Sequence, residues 1–184
     1  MKPSLRKVVF IDRDGVINVD LWKYVESWEE FRFEDGAIAA LKTLTDKGFD
    51  IIIISNQAGV GDGIFSESAM WDVHERMVRE MGKHGIMIYG ARYCTHGKNE
   101  QCDCRKPKTR LLEQAVEELE FDKQKTYFVG DKLSDLEAGK NFGAKTILVR
   151  TGYGAETEKK LTPTLQPDHI VNNLNDAVPF ILKV

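Results

Sequence analysis

The chain alternates short, wholly apolar runs with longer stretches whose apolar residues recur every three or four positions. Four runs are dense in β-branched, aliphatic and aromatic residues: Val8-Val9-Phe10-Ile11, Ile51-Ile52-Ile53-Ile54, Thr126-Tyr127-Phe128-Val129 and Thr146-Ile147-Leu148-Val149. Runs of this length, bounded by turn residues, predict buried strands. Residues 86–93, interrupted by Gly90, predict another strand, and His169-Ile170-Val171 an edge strand. Between them lie helical patterns. Ile38, Leu41 and Leu44 follow Asp35, placed to N-cap, and precede Gly48, placed to end the helix. Ser66 opens a long helix to about Lys83 with Met70, Val73, Met77, Val78 and Met81 as its apolar face. Pro107 and Thr109 introduce a helix with Leu111, Leu112, Ala115, Val116 and Leu119 on one side. Ser134-Asp135-Leu136-Glu137 reads as a capping box for a helix ending at Gly143, and Asn175 starts a short last helix with Pro179 near its first turn.

Two stretches keep neither period. Residues 151–167 predict a polar loop. Residues 18–34 predict a loop or flap over the end of the first strand, with Trp28, Phe31 and Phe33 equally suited to packing as satellite core. His74 and His84, on and near the long helix, show no partner in the sequence and read as structural or solvated. Strands alternating with helices give an α/β fold with a doubly wound, Rossmann-like parallel sheet.

The length of 184 residues fits one domain, expected to span residues 1–184. An apolar content of 42% with 30% charged residues excludes a disordered chain. A net charge of −3 argues against nucleic acid as a partner. No apolar run reaches the length of a membrane span, and Met1-Lys2-Pro3-Ser4 lacks the apolar region of a leader, so a cytoplasmic monomer is the expectation.

The candidate chemistry sits where strands end. The first runs into Asp12-Arg13-Asp14-Gly15, two carboxylates close enough to demand a cation between them or a shifted pKa. A carboxylate there is a possible covalent nucleophile, and its neighbour a possible proton carrier. The second ends in Ser55-Asn56-Gln57 and a glycine-rich loop, donors suited to an anion. A later corner, Gly130-Asp131-Lys132-Leu133-Ser134-Asp135, brings acids to a helix N-terminus. All three cysteines fall within residues 94–104, where Cys94, His96, Cys102 and Cys104 make a Cys₃His set. Such a set fills the four positions of a structural Zn²⁺ and leaves none open for catalysis. Arg105-Lys106-Pro107 follows at once, two cations on a metal-stapled loop.

Taken together, Asp12-Arg13-Asp14-Gly15, Ser55, Lys106 and Gly130-Asp131-Lys132-Leu133-Ser134-Asp135 resemble the four motifs of the haloacid dehalogenase superfamily of phosphatases. No insert of cap-domain size separates them, so the resemblance is to a capless member with a zinc-binding loop. Within the superfamily the chain is similar to the zinc-loop branch, whose substrates are heptose bisphosphates or histidinol phosphate, through Phe10 to Gly15, Ser55-Asn56-Gln57, the cysteine loop and Arg105-Lys106-Pro107. Residues 17–20, Tyr24-Val25 and residues 148–152 favour the heptose side.

The resemblance implies Mg²⁺-dependent hydrolysis of a small phosphorylated substrate through an aspartyl-phosphate. Asp12 is the implied nucleophile and Asp14 the acid and base. Asp12, the Asp14 carbonyl and Asp131 are the implied Mg²⁺ ligands. Ser55, Asn56 and Lys106 hold the transferring phosphate, Arg105 and Lys132 contact substrate, and Asp135 binds the metal through water or orients Lys106. Lys23, Lys98, Arg105, Lys108 and Arg110 suit a second anionic group and so a sugar bisphosphate. Histidinol phosphate is the alternative substrate, and a non-catalytic phosphate-binding protein the alternative from another class.

Overall fold

The computed structural model describes residues 5–183; the N-terminal tetrapeptide read above as lacking a leader lies outside them. Six parallel strands, β1 (Lys7–Ile11), β2 (Phe49–Asn56), β3 (Ile88–Cys94), β4 (Tyr127–Gly130), β5 (Lys145–Val149) and β6 (His169–Val171), stand in the order β3-β2-β1-β4-β5-β6. This is the doubly wound order, with the chain reversing direction across the sheet between β1 and β4. The connecting helices are α1 (Ala37–Asp46), α2 (Ala58–Gly61), α3 (Glu67–Lys83), α4 (Arg110–Ala115), α5 (Leu133–Phe142), α6 (Gly154–Glu158) and α7 (Leu174–Ile181).

Because side chains alternate across a pleated strand, each run feeds two cores. Val9, Ile11, Ile51, Ile53, Val129 and Ile147 face one way, with α1, α3 and α7 over them. Val8, Phe10, Ile52, Ile54 and Phe128 face the other way, under α4 and α5. Strands covered on both faces must be apolar throughout, which is why the central runs carry no polar alternation. Cys94 belongs to the second core, so the cysteine loop starts from a fixed, buried point.

Several local expectations shift. Asp35 does not cap α1; Gly36, at φ 80°, occupies that position without a side-chain bond. The capping box of α5 lies two residues earlier than its sequence signature. Lys132 is the N-cap, and its N–H donates to Asp135 Oδ2 at 3.0 Å. Residues 151–167 are not all loop, since α6 forms there. Asn173, not Asn175, caps α7, and Pro179 sits in its second turn. The cap of α3 is as expected, with Ser66 Oγ accepting from the Ala69 N–H at 3.1 Å. Residues 18–34 form a flap whose base is core: Trp28 stacks on Phe31, itself edge-on to Phe33. Its tip is not core, and Trp22 is 62% exposed.

Candidate active site

The carboxyl ends of β1, β2 and β4 meet at the reversal of strand order, the usual ligand crevice of an open parallel sheet. Asp12 leaves β1 there, buried, with its N–H held by the Val129 carbonyl at 3.0 Å. Both contacts to its carboxylate fall on Oδ1, from the Arg13 N–H at 2.8 Å and Lys106 Nζ at 3.0 Å. Among the described residues none donates to Oδ2.

Lys106 is anchored from three sides. Its ammonium lies 2.6 Å from Asp135 Oδ1 and donates to the Ile54 carbonyl at 2.8 Å, besides pairing with Asp12. Its main chain is clasped by Asn56, whose Oδ1 accepts the Lys106 N–H at 3.0 Å and whose Nδ2 donates to the Lys106 carbonyl at 3.2 Å. Burial pulls the Lys106 ammonium down, but Asp12 and Asp135 outweigh it and hold it above its ordinary value. Burial pushes the Asp12 carboxyl up, Lys106 opposes, and the net direction is up.

Burial pushes the Asp131 carboxyl well above its ordinary value against the pull of Lys132. Oδ2 accepts from the Tyr153 N–H at 2.8 Å, but buried Oδ1 has no hydrogen-bond partner among the described residues. Glycines crowd it: a Cβ at Gly15, held at φ 82°, or at Gly152 would collide with its carboxylate. Oxygens of Asp12, Asp131 and Asp135 lie within 4.8 Å of one another. Three buried carboxylates, one with an orphaned oxygen, fit a hard divalent cation with oxygen ligands. Asp135 thus joins the set directly while also pairing with Lys106. The Asp14 carboxylate stands apart, leaving only its main-chain carbonyl for a metal.

Asp14 is instead gripped by neighbours. Arg13 NH2 donates to Oδ1 at 2.9 Å and Oδ2 at 3.0 Å, Asn18 Nδ2 to Oδ1 at 3.0 Å, and Gln57 Nε2 to Oδ2 at 2.7 Å. Burial alone would raise this carboxyl, but Arg13 and these bonds hold it below the usual range. Gln57 Nε2 also donates to the buried Ser55 Oγ at 3.1 Å, leaving the Ser55 proton free for an anion.

Asp14 opens onto a cavity of about 310 Å³ lined also by Asp20, Trp22, Lys23, Tyr24, Asn56, Ala58, Lys98, Arg105, Lys132 and Tyr153. Lys132 reaches Asp20 Oδ2 at 3.3 Å and lies 4.7 Å above the Tyr153 ring. Arg105 donates to the carbonyls of His96 and, at 2.9 Å, Gly97, which ties the cysteine loop to the cavity wall. Lys23, Lys98 and Arg105 reach the cavity as expected; Lys108 and Arg110 do not. Lys108 turns outward to the Cys102 carbonyl and Asp103.

Cys94, His96, Cys102 and Cys104 converge. Cys94 Sγ lies 3.7 Å from Cys102 Sγ and 3.2 Å from Cys104 Sγ, and His96 Nδ1 is 3.2 Å from Cys104 Sγ. These are not disulfide lengths, all three thiols being free. They approach the edges of a tetrahedron about a metal, where Zn–S bonds of about 2.3 Å give S···S separations of roughly 3.8 Å.

The sequence reading missed three residues here. Arg13 was passed over inside the motif, Gln57 serves both Ser55 and Asp14, and Asp20 holds Lys132. The last two act over 43 and 112 residues, which no local pattern shows.

The comparisons with known proteins agree with this architecture. Residues 103–177 match the HAD-hydrolase-like family model. The chain is 41% identical to the D-glycero-beta-D-manno-heptose-1,7-bisphosphate 7-phosphatase of Haemophilus ducreyi, with 96% of this chain and 98% of that protein aligned. It is 37% identical to the Escherichia coli protein of the same name, over 95% and 93%. The crystal structure of D,D-heptose 1,7-bisphosphate phosphatase from B. bronchiseptica, complexed with magnesium and phosphate, superposes with a TM-score of 0.90 at 28% identity, covering 96% of this chain and 98% of that one. The chain is a haloacid dehalogenase-like phosphatase and belongs to the family of these heptose bisphosphate phosphatases.

Proposed function

We propose that this phosphatase removes the 7-phosphate of D-glycero-D-manno-heptose 1,7-bisphosphate through an aspartyl-phosphate on Asp12. One observation carries the reading: Asp12 keeps Oδ2 uncommitted beside Lys106, two residues from an Asp14 that opens onto a cavity with four cationic side chains. Oδ2 attacks phosphorus, the ester P–O bond breaks, and the leaving alkoxide takes a proton from Asp14. A water then gives its proton back to Asp14 as its oxygen attacks phosphorus, which frees Asp12 and inorganic phosphate. Asp14 starts as a carboxylate; a phosphate anion arriving beside it raises its pKa and loads the proton. Ser55 and Lys106 donate to the transferring oxygens. Asn56 clasps the Lys106 peptide and so places that lysine, and keeps one Nδ2 proton for a phosphate oxygen.

Asp12, Asp131 and Asp135, with the Asp14 carbonyl, would hold Mg²⁺, which neutralises phosphate charge when bound. Cys94, His96, Cys102 and Cys104 would hold Zn²⁺ in a closed structural site. The whole chain works as one domain on a small substrate. No helix among the described residues is long and apolar enough to cross a membrane, in keeping with a cytoplasmic protein.

Substrate choice follows from the cavity. Lys23, Lys98, Arg105 and Lys132 favour a second phosphate and repel the amine of histidinol phosphate. Parallel kinetics on heptose 1,7-bisphosphate, histidinol phosphate and a small monophosphate test this. The bisphosphate is expected to show the highest kcat/KM, and Arg105→Ala to cost more on it than on the monophosphate. Faster turnover of histidinol phosphate overturns the substrate; no phosphate release from any ester with Mg²⁺ leaves a phosphate-binding protein.

A further inference from the structure

Among the described residues, Trp22 is the single non-glycine residue with a positive φ, at 60°. A bulky side chain is strained in that left-handed region. Folding repays little of the strain, since the residue is 62% exposed. What holds it is a closed set of contacts on the cavity wall. The Trp22 N–H donates to Asp20 Oδ1 at 2.7 Å, and Asp20 Oδ2 accepts from the Lys132 ammonium at 3.3 Å. That ammonium lies over the Tyr153 ring, which meets the indole at 67° with centroids 4.4 Å apart. The flap tip is thereby tied to Lys132, the N-cap of α5, and to Tyr153, the N-cap of α6. Backbone strain that its surroundings over-determine in this way clusters at ligand clamps.

The cavity behind these contacts has two kinds of lining. Lys23, Lys98, Arg105 and Lys132 suit phosphate oxygens. Trp22, Tyr24 and Tyr153 carry no charge and offer rings instead. Tyr24 packs on Phe65 and Tyr153 carries Lys132, and both are half-buried, so Trp22 keeps the most open surface of the three. The electron-rich face of an aromatic ring repels anions and attracts C–H bonds that neighbouring oxygens polarise. A sugar ring presents such bonds.

We propose that Trp22 is a specificity-determining residue whose indole covers the sugar ring while the cations hold the phosphates. The inference rests on the phosphatase reading and deepens it, giving one residue charge of the uncharged part of the substrate. The ring is covered equally in the ground state and the transition state. Its loss therefore falls on KM more than on kcat.

Heptose 1,7-bisphosphate and hexane-1,6-diol bisphosphate both carry two phosphates, but only the first has a sugar ring. With the full chain and Mg²⁺, Trp22→Gly, which adopts the left-handed backbone without cost, is expected to lower kcat/KM about tenfold more on the heptose than on the diol, mostly through KM. Trp22→Phe keeps an aromatic face and is expected to recover part of that loss. A second readout needs no turnover. In Asp12→Asn protein, heptose bisphosphate with Mg²⁺ is expected to shift the tryptophan emission, and adding Trp22→Phe to abolish the shift. Equal losses on the two esters in Trp22→Gly overturn the inference. So does an emission shift that is absent or that survives Trp22→Phe. If the wild type releases phosphate from neither ester, the phosphatase reading fails, and the emission alone decides whether Trp22 meets a sugar.

Discussion

The carboxylate corner and the cysteine loop can each gather a cation, but they are assembled by different forces. Asp12 and Asp131 are buried at the ends of strands, Lys106 is clasped to one and Asp135 opens the helix that follows β4, so the sheet brings them together. Three carboxylates face the one Lys106 ammonium, and Asp131 Oδ1 has no hydrogen-bond partner among the described residues, so the corner carries an excess of negative charge that a cation would neutralise. Of the loop's four candidate ligands only Cys94 is buried; Cys102 and Cys104 are half-buried and His96 exposed. Little apolar surface holds residues 95–104 in place, so a metal bound there would do what a core does elsewhere. The corner is organised to receive a cation, whereas the loop would be organised by one.

Breaking the corner gives the largest expected effects. Asp12→Asn removes the nucleophile and should lower kcat by more than about a thousandfold while the circular dichroism spectrum stays native. Phosphate release near the wild-type rate would end the covalent mechanism. Lys106→Met leaves Asp12 and Asp135 buried without their counter-charge. The expected cost is about 3–5 kcal/mol in urea unfolding, as for other half-broken buried pairs, together with severe loss of activity.

Breaking the loop should act more gently and in another place. Cys102→Ala, or removal of zinc by a chelator, is expected to lower the melting temperature by several degrees and to weaken use of the bisphosphate through Arg105, whose guanidinium bonds to the His96 and Gly97 carbonyls. The concentration of Mg²⁺ giving half-maximal activity should not move. A zinc-free protein with native melting and full activity would remove the structural role.

The smallest effect lies in neither region. Burial and then Arg13 hold His74 below its ordinary pKa, so the unfolded chain takes up that proton more readily. The stability it contributes is complete above the unfolded value of about 6.5 and is lost as pH falls through it toward the lower folded value. His74→Asn should flatten the fall in stability between neutral and mildly acidic pH, measured by urea titration at several pH values. An unchanged slope would show that another group sets it.

The same contrast explains how much the sequence disclosed. Strands buried on both faces announce themselves as apolar runs, and the residues just past them, Asp12, Ser55 and Asp131, fall at the crevice by the topology of the fold. The cysteine set was legible from spacing alone. What stayed hidden depends on meetings far apart in the chain: Gln57 with Asp14, Lys132 with Asp20, His74 with Tyr93. Local signals misled where tertiary partners outbid them. Asp135 was read in a box opened by Ser134, but it caps from inside the helix through the Lys132 N–H while its other oxygen pairs with Lys106. Asn56, read as a phosphate donor, has a further task the sequence did not show, its amide clasping both sides of the Lys106 peptide.

That amide clasp has an evolutionary corollary. Asn56 is the last residue of β2, in register with Cys94 of β3, and it receives the Lys106 peptide as a sheet receives one more rung. The chain therefore departs at Cys94 and is recaptured at Lys106, whatever it does between. Closing a longer excursion costs only about 0.6 kcal/mol for each doubling of length. Insertions at residues 99–101, between the four candidate metal ligands, should therefore be absorbed at small cost, leaving the Lys106 ammonium where Asn56 holds it.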